Sequence, residues 1–173
     1  HLRLLRAVRF AARLSFVVEP VTAAAIRDLA PKIQRISAER IRDELTRILL
    51  DSPRAGDALI LLDKFGLLEI LLPEVAAMRG QEQPAEFHPE GDVYQHTLLL
   101  LNMMQTKTLR LVWAALLHDV GKPGTAQLIE GRIRFYRHAE TGAEIARKIL
   151  SRLRFPHDDI DAISHMVANH MCF

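Results

Sequence analysis

A divalent cation acting on a phosphate ester needs neutral imidazoles and at least one carboxylate converging from separate elements, with positions left open for water and substrate. The chain offers such a set in His96, the adjacent pair His118 and Asp119, and the later His138 and His170. Any one of these histidines alone is more often a packing or surface residue, so the candidate rests on the set. His96, His118 and Asp119 are the primary metal-ligand candidates, with His138 and His170 as further ones. Asp119 and Lys122 are the catalytic candidates, because a lysine three residues beyond the carboxylate could steady a substrate phosphate. Gly121 is expected to free the backbone there so that both His118 and Asp119 can turn inward. The remaining histidines read differently. His165 falls on another helical face from His170 and is expected to pack, His88 and His157 adjoin prolines as loop or cap residues, and His1 is terminal.

Helices are the elements that must position these groups. Good helix formers dominate, only 8 Gly and 8 Pro interrupt 173 residues, and 49% hydrophobic content supplies a core. The expected fold is all-α: a multi-helical neck and body followed by a second helical domain, with one small β-hairpin. Helical spacing runs from Leu2 to Ser15, Glu19-Pro20 opens a helix over 20–30, and Ser37 can cap a third helix through Leu49. Pro53 suits the first turn of a fourth, closed by Gly66 after Phe65. Asp92 caps a helix carrying His96, and Leu109 to Leu117 delivers His118 and Asp119 at its end. Alternation around Glu130-Gly131, from Thr125 to Tyr136, predicts the hairpin, and helices over 140–154 and 157–170 follow. Pro84, Pro89 and two glycines make 79–91 a linker, giving units at 1–78 and 92–173.

Charge divides unevenly between them. Residues 1–50 carry ten Lys/Arg against five Asp/Glu, net +5, and the remainder thirteen against sixteen, net −3. Arg3, Arg6, Arg9 and Arg13 fall within about 120° of one another on a helix, a basic stripe opposite Leu4, Leu5 and Val8. From charge alone, a solvated face with internal salt bridges and a nucleic-acid contact weigh evenly. The single Cys172 excludes an internal disulfide, and no signal peptide or membrane-long apolar run is visible, which predicts a cytoplasmic protein.

The wording of two stretches adds to this. His96 followed by Leu-Leu-His118-Asp119-Val-Gly-Lys122 resembles the signature of HD-domain phosphohydrolases, over about residues 88–173, and in related domains the position of His138 often makes another metal or phosphate contact. HD domains usually complete the metal site with a later aspartate. Here Met171, a soft and poor ligand for Mg²⁺ or Mn²⁺, follows His170 where some relatives have Asp. Arg3-Leu-Leu-Arg6-Ala-Val-Arg9-Phe10-Ala-Ala-Arg13-Leu-Ser-Phe16, with Ser37-Ala-Glu-Arg40-Ile-Arg-Asp-Glu, is similar to the neck of class II tRNA nucleotidyltransferases and bacterial poly(A) polymerases. That resemblance implies the C-terminal portion of an RNA nucleotidyltransferase acting at tRNA or RNA 3′ ends. Arg3 would match the end of a Glu-Asp-x-x-Arg motif that selects ATP or CTP, with Arg6, Arg9, Arg13 and Arg40 facing RNA.

Nucleotide addition also needs a glycine turn and an Asp-x-Asp pair on a sheet. The only Asp-x-Asp, Asp159 and Asp161, follows Pro156 without such a turn and reads as helix N-terminal charge complementarity, so this chain alone is not expected to add nucleotides. The HD portion is expected to use Mg, Mn or Ni. A freestanding nucleotide phosphohydrolase and a non-catalytic RNA scaffold are the competing readings.

Overall fold

The computed structural model describes residues 1–84, 86 and 89–171; His88 and Cys172, assigned above as a loop residue and an unpaired thiol, lie outside them. Helices α1 (Leu2–Leu14) and α2 (Pro20–Leu29) lead through a 3₁₀ segment (Ala30–Arg35) to α3 (Ala38–Asp51), α4 (Ala55–Lys64) and the short α5 (Leu67–Leu71) and α6 (Pro73–Ala76). After 79–91 come α7 (Val93–Met103), α8 (Leu109–Leu117), α9 (Lys122–Thr125), strands β1 (Ala126–Ile129) and β2 (Arg132–Phe135), then α10 (His138–Arg152) and α11 (His157–Ala168). The expected all-α fold with one hairpin is what forms; β1 and β2 pair antiparallel, Ala126 opposite Phe135 and Ile129 opposite Arg132. Among the described residues no helix is long and apolar enough to cross a membrane.

Local chemistry explains most boundaries. Ser15 adopts a left-handed conformation (φ 54°) that closes α1, with the Phe16 amide donating to the Ala11 carbonyl at 2.9 Å. The Glu19 carboxylate accepts from the Thr22 amide at 3.1 Å and so caps α2, while Thr108 caps α8. Two expectations fail. Ser37 precedes α3 without a side-chain capping bond, and Pro53 stands outside α4, whose N-cap is Arg54. The short helices α5, α6 and α9, too brief for a periodic signal, were not foreseen.

One hydrophobic core runs through both sides of 79–91, from Leu5 and Val8 on α1 to Trp113 on α8 and Ile163 on α11. The Trp113 indole N–H donates to Thr46 Oγ1 of α3 at 3.0 Å, and the ring meets Phe155 edge-on at 5.1 Å. Helices α4 and α7 cross at Gly56, where a Cβ would strike the Leu98 carbonyl; the Gly56 amide donates to Asn102 Oδ1 at 2.8 Å. The 79–91 segment is pinned at both ends. Asp92 Oδ2 accepts from the Gly80 amide at 2.6 Å while its other oxygen caps α7 through the Gln95 amide at 2.8 Å.

Candidate metal centre

Four elements carry the centre. His96 comes from the first turns of α7, His118 and Asp119 from the end of α8, His138 from the start of α10, and His170 from just beyond α11. Helices α10 and α11 pack along each other and α11 packs on α8, which brings His138 and His170 to Asp119. The donor atoms of His96, His118 and Asp119 lie within 4.8 Å of one another, and so do those of Asp119, His138 and His170. Asp119 belongs to both groups. All five residues proposed from the sequence are therefore brought together.

Gly121 serves the site by its size. Its backbone is ordinary right-handed helix (φ −82°), contrary to the expected conformational freedom, but a Cβ would collide with the His138 carbonyl and approach the Gly142 amide nitrogen at 2.6 Å. A side chain there would push α10, and His138 with it, away from Asp119.

The imidazoles are oriented in a common way. His118 Nδ1 bonds to the Ala115 carbonyl at 2.8 Å, His138 Nδ1 to Phe135 at 2.8 Å, and His170 Nδ1 to Val167 at 2.7 Å. Each carbonyl requires a proton on Nδ1, which leaves the Nε2 lone pair facing inward, the tautomer a metal ligand needs. Those Nε2 atoms stand 3.1, 3.6 and 3.6 Å from Asp119 oxygens, in the order His118, His138, His170. His96 Nδ1 meets the Glu90 carboxylate. A neutral nitrogen set around one buried carboxylate fits a borderline or hard divalent cation.

Asp119 is 2% exposed. Burial would raise its pKa, yet the neighbouring His118, His170 and Lys122 hold it well below the usual carboxylate range. Burial pushes His138 down from the ordinary imidazole value; burial also lowers His170, but Asp119 and the Val167 carbonyl together bring it net above. The Lys122 ammonium, 5% exposed, lies 2.8 Å from Asp119 and donates to Gln83 Oε1 at 2.7 Å. It is thus held in the wall of the site by two partners. Gln83 and Glu90, both in the segment read as a linker, were missed; one polar residue among many in a Pro/Gly-rich stretch gives no periodic or spacing signal.

The cluster separates two cavities. One of about 540 Å³ is lined by Asp119, Lys122, Arg134, Phe135 and His138 with the exposed Met171 at its edge, and the other, about 770 Å³, by Leu100, Leu111, Ala115, Met166 and His165. His96, His118 and His170 border both. His165, expected to pack, is exposed on the second cavity beside Asn169. Asp159 and Asp161 pair with Arg110 at 2.8 Å and Arg147 at 2.6 Å, in keeping with a structural part.

At the other end, Arg3, Arg6 and Arg40 line a cavity of about 370 Å³ with Ile36. Arg13 is exposed. Arg9 departs from the expected open stripe: it leans on α3, its Nε 2.6 Å from Glu44 and its Nη1 3.6 Å from Asp51, with 12% of the side chain exposed.

Residues 92–173 match the HD domain family, and 15–79 match a family described as "Probable RNA and SrmB- binding site of polymerase A". The chain is 42% identical to the CC-adding tRNA nucleotidyltransferase of Thermus thermophilus, with 99% of this chain and 41% of that protein covered. It is 39% identical to the A-adding tRNA nucleotidyltransferase of Deinococcus radiodurans (98% and 41%) and 38% to a Multifunctional CCA protein of Pseudomonas fluorescens (91% and 39%). Over nearly its whole length the chain matches part of these tRNA nucleotidyltransferases. It spans about two fifths of the length of those tRNA nucleotidyltransferase relatives, the part that carries an RNA-binding unit followed by an HD unit.

Proposed function

We propose that this chain is the RNA-binding and HD portion of an enzyme that adds nucleotides to tRNA 3′ ends in the cytoplasm, with ATP and CTP as substrates, and that its HD centre hydrolyses phosphate esters with a divalent metal. The observation that carries the first half is the similarity over nearly the whole chain to relatives named for CC, A and CCA addition. Arg3, beside Arg6 and Arg40 in one cavity, contacts the incoming nucleotide; Arg6, Arg13 and Arg40, with Arg9 as their buttress, face RNA.

The second half rests on the convergence of four imidazoles on Asp119. His96, His118 and Asp119 would hold the ion, Mg²⁺, Mn²⁺ or Ni²⁺, with His138 and His170 as further candidate ligands grouped on the same carboxylate. When bound, it supplies electrophilic assistance at a phosphoryl oxygen and an activated water. The protein's own groups do the rest: the carbonyls of Ala115, Phe135 and Val167 fix the tautomers, His118, His170 and Lys122 keep Asp119 ionised, and Lys122 and Arg134 make their cavity attractive to phosphate.

Two experiments test these halves separately. In the complete enzyme, labelled ATP and CTP should enter tRNA lacking its 3′ end, and Arg3→Ala should change the ATP to CTP ratio more than tRNA affinity; no incorporation would reject the first half. For the second, calorimetric titration with Mn²⁺, Ni²⁺ and Mg²⁺ is paired with hydrolysis of phosphomonoesters and 2′,3′-cyclic phosphodiesters, before and after Asp119→Ala. Hydrolysis that survives the substitution rejects the assignment of these residues, and metal bound without turnover favours a scaffold role.

A further inference from the structure

The outward face of α1 holds more than arginines. At 100° per residue, Phe10 lies about 20° from Arg3 and 40° from Arg6, inside the basic stripe rather than beside it. The face opposite carries Leu4, Leu5, Val8 and Ala11, all buried against α3 and α4. Phe10 is nevertheless 48% exposed, and Phe16, three residues beyond the exposed Arg13, is 65% exposed. A large aromatic ring left in water within a row of cations needs an explanation, because it would bury favourably elsewhere. Arg9 supplies part of the geometry. Its guanidinium is fixed by Glu44 and Asp51 and lies over the Phe10 ring, 4.5 Å from the centroid, which holds the ring in place on the surface.

We propose that Phe10 and Phe16 are base-stacking positions for unpaired ribonucleotides, with Arg3, Arg6 and Arg13 neutralising the phosphates on either side. Aromatic rings interleaved with cations suit a single strand: every base offers a π-face, whereas paired bases in a duplex are stacked on one another and show these rings only an edge. Charge selects the occupant. An apolar protein partner would leave Arg3 and Arg13 facing its surface without a counter-charge, with Arg6 paired only at 3.8 Å to Glu44, while RNA satisfies rings and cations together. This inference rests on the RNA reading above and adds which part of the RNA is held here and how.

The test uses the chain as it stands, with a fluorescein-labelled single-stranded oligoribonucleotide and a blunt RNA duplex of the same length as probes. Phe10→Leu keeps an apolar group at an exposed position, so its thermal melting should match that of the parent chain. Its affinity for the single strand should fall roughly 5- to 150-fold, the range for losing one stacked base, with Phe10→Tyr restoring it and duplex affinity unchanged. The salt slope should not move with Phe10→Leu and should fall by about 0.7 with Arg6→Gln, since only the latter removes a phosphate contact. Single-strand affinity unaffected by Phe10→Leu and Phe16→Leu would overturn the proposal, as would an equal loss on the duplex. If the parent chain binds neither probe, the RNA reading itself fails; if binding depends on Arg6 and Arg13 but not on the two rings, only the stacking does.

Discussion

The arginine face of α1 and the histidine centre around Asp119 gather functional groups in opposite ways. On α1 a single helix lays cations along one exposed face, and each acts almost independently of the others. Around Asp119 four elements deliver five candidate ligands to one point; each orienting bond is local, reaching a carbonyl three residues back, but only the packing of the elements brings the oriented imidazoles together. Screened surface charges act by number and long-range attraction, whereas the buried cluster acts by position. Damage should therefore be graded on α1 and steep in the centre. Arg9 is the informative exception, a member of the stripe by sequence that has joined the buried kind of site through Glu44.

The largest effect should come from Asp119→Ala. It strands the buried Lys122 ammonium, and removing one partner of a buried pair costs about 3–5 kcal/mol; urea denaturation in the presence of a chelator measures it without any contribution from an ion. A loss no greater than that of Arg13→Gln would erase the contrast between the two regions. Gly121→Ala should rank next, at about 1–3 kcal/mol, because the atoms its Cβ meets are backbone and cannot swing aside. Its metal affinity should fall too, with His96, His118 and Asp119 all still present, and calorimetry on the refolded variant would show this.

On α1 the expected split is between neighbours. Arg9→Gln leaves Glu44, 2% exposed, short of its nearest partner and should destabilise by roughly 1–3 kcal/mol, while Arg13→Gln should stay within about 0.5 kcal/mol and instead lower the salt dependence of RNA binding. Equal stability of the two variants would mean that Arg9 belongs with the surface charges after all.

A smaller effect than that of Arg9→Gln belongs to the contact that ties α6 to α10. Burial raises the Glu74 carboxyl, but the hydrogen bond and charge of Arg152, 2.6 Å away, bring it net below the ordinary 4.5. A carboxyl depressed in the folded state adds stability above its ordinary pKa and loses it as pH falls through the folded value. Glu74→Gln should therefore cost about 0.2–1 kcal/mol near neutrality, as for other partly exposed pairs. Thermal melts of the two proteins should converge on acidification through the carboxylate range; a gap that widens instead would reverse the sign.

What could be read from the sequence follows the same division. Periodicity placed α1, α7 and α8, and caps such as Glu19 and Asp92 marked helix starts, because these signals are local. The five candidate ligands of the centre were legible as residue types, and the HD resemblance grouped them, but their mutual distances depend on how α8, α10 and α11 pack. Gln83 and Glu90 stayed hidden for that reason: a residue in an aperiodic segment acquires a role only when the chain folds back on Lys122 or His96. The role of Gly121 was misread because crowding between two helices is a property of the pair, and the pairing of Arg9 with Glu44 spans 35 residues of sequence.

Trp113 gives the molecule a built-in optical reporter. It is the sole tryptophan, fully buried, hydrogen-bonded to Thr46 on α3 and wedged against Phe155 ahead of α11. Its indole therefore belongs to the seam where the RNA-binding and HD units share their core. Emission from this one chromophore follows the opening of that seam from either side, so a fluorescence trace of the unlabelled protein distinguishes separation of the two units from events confined to the arginine face.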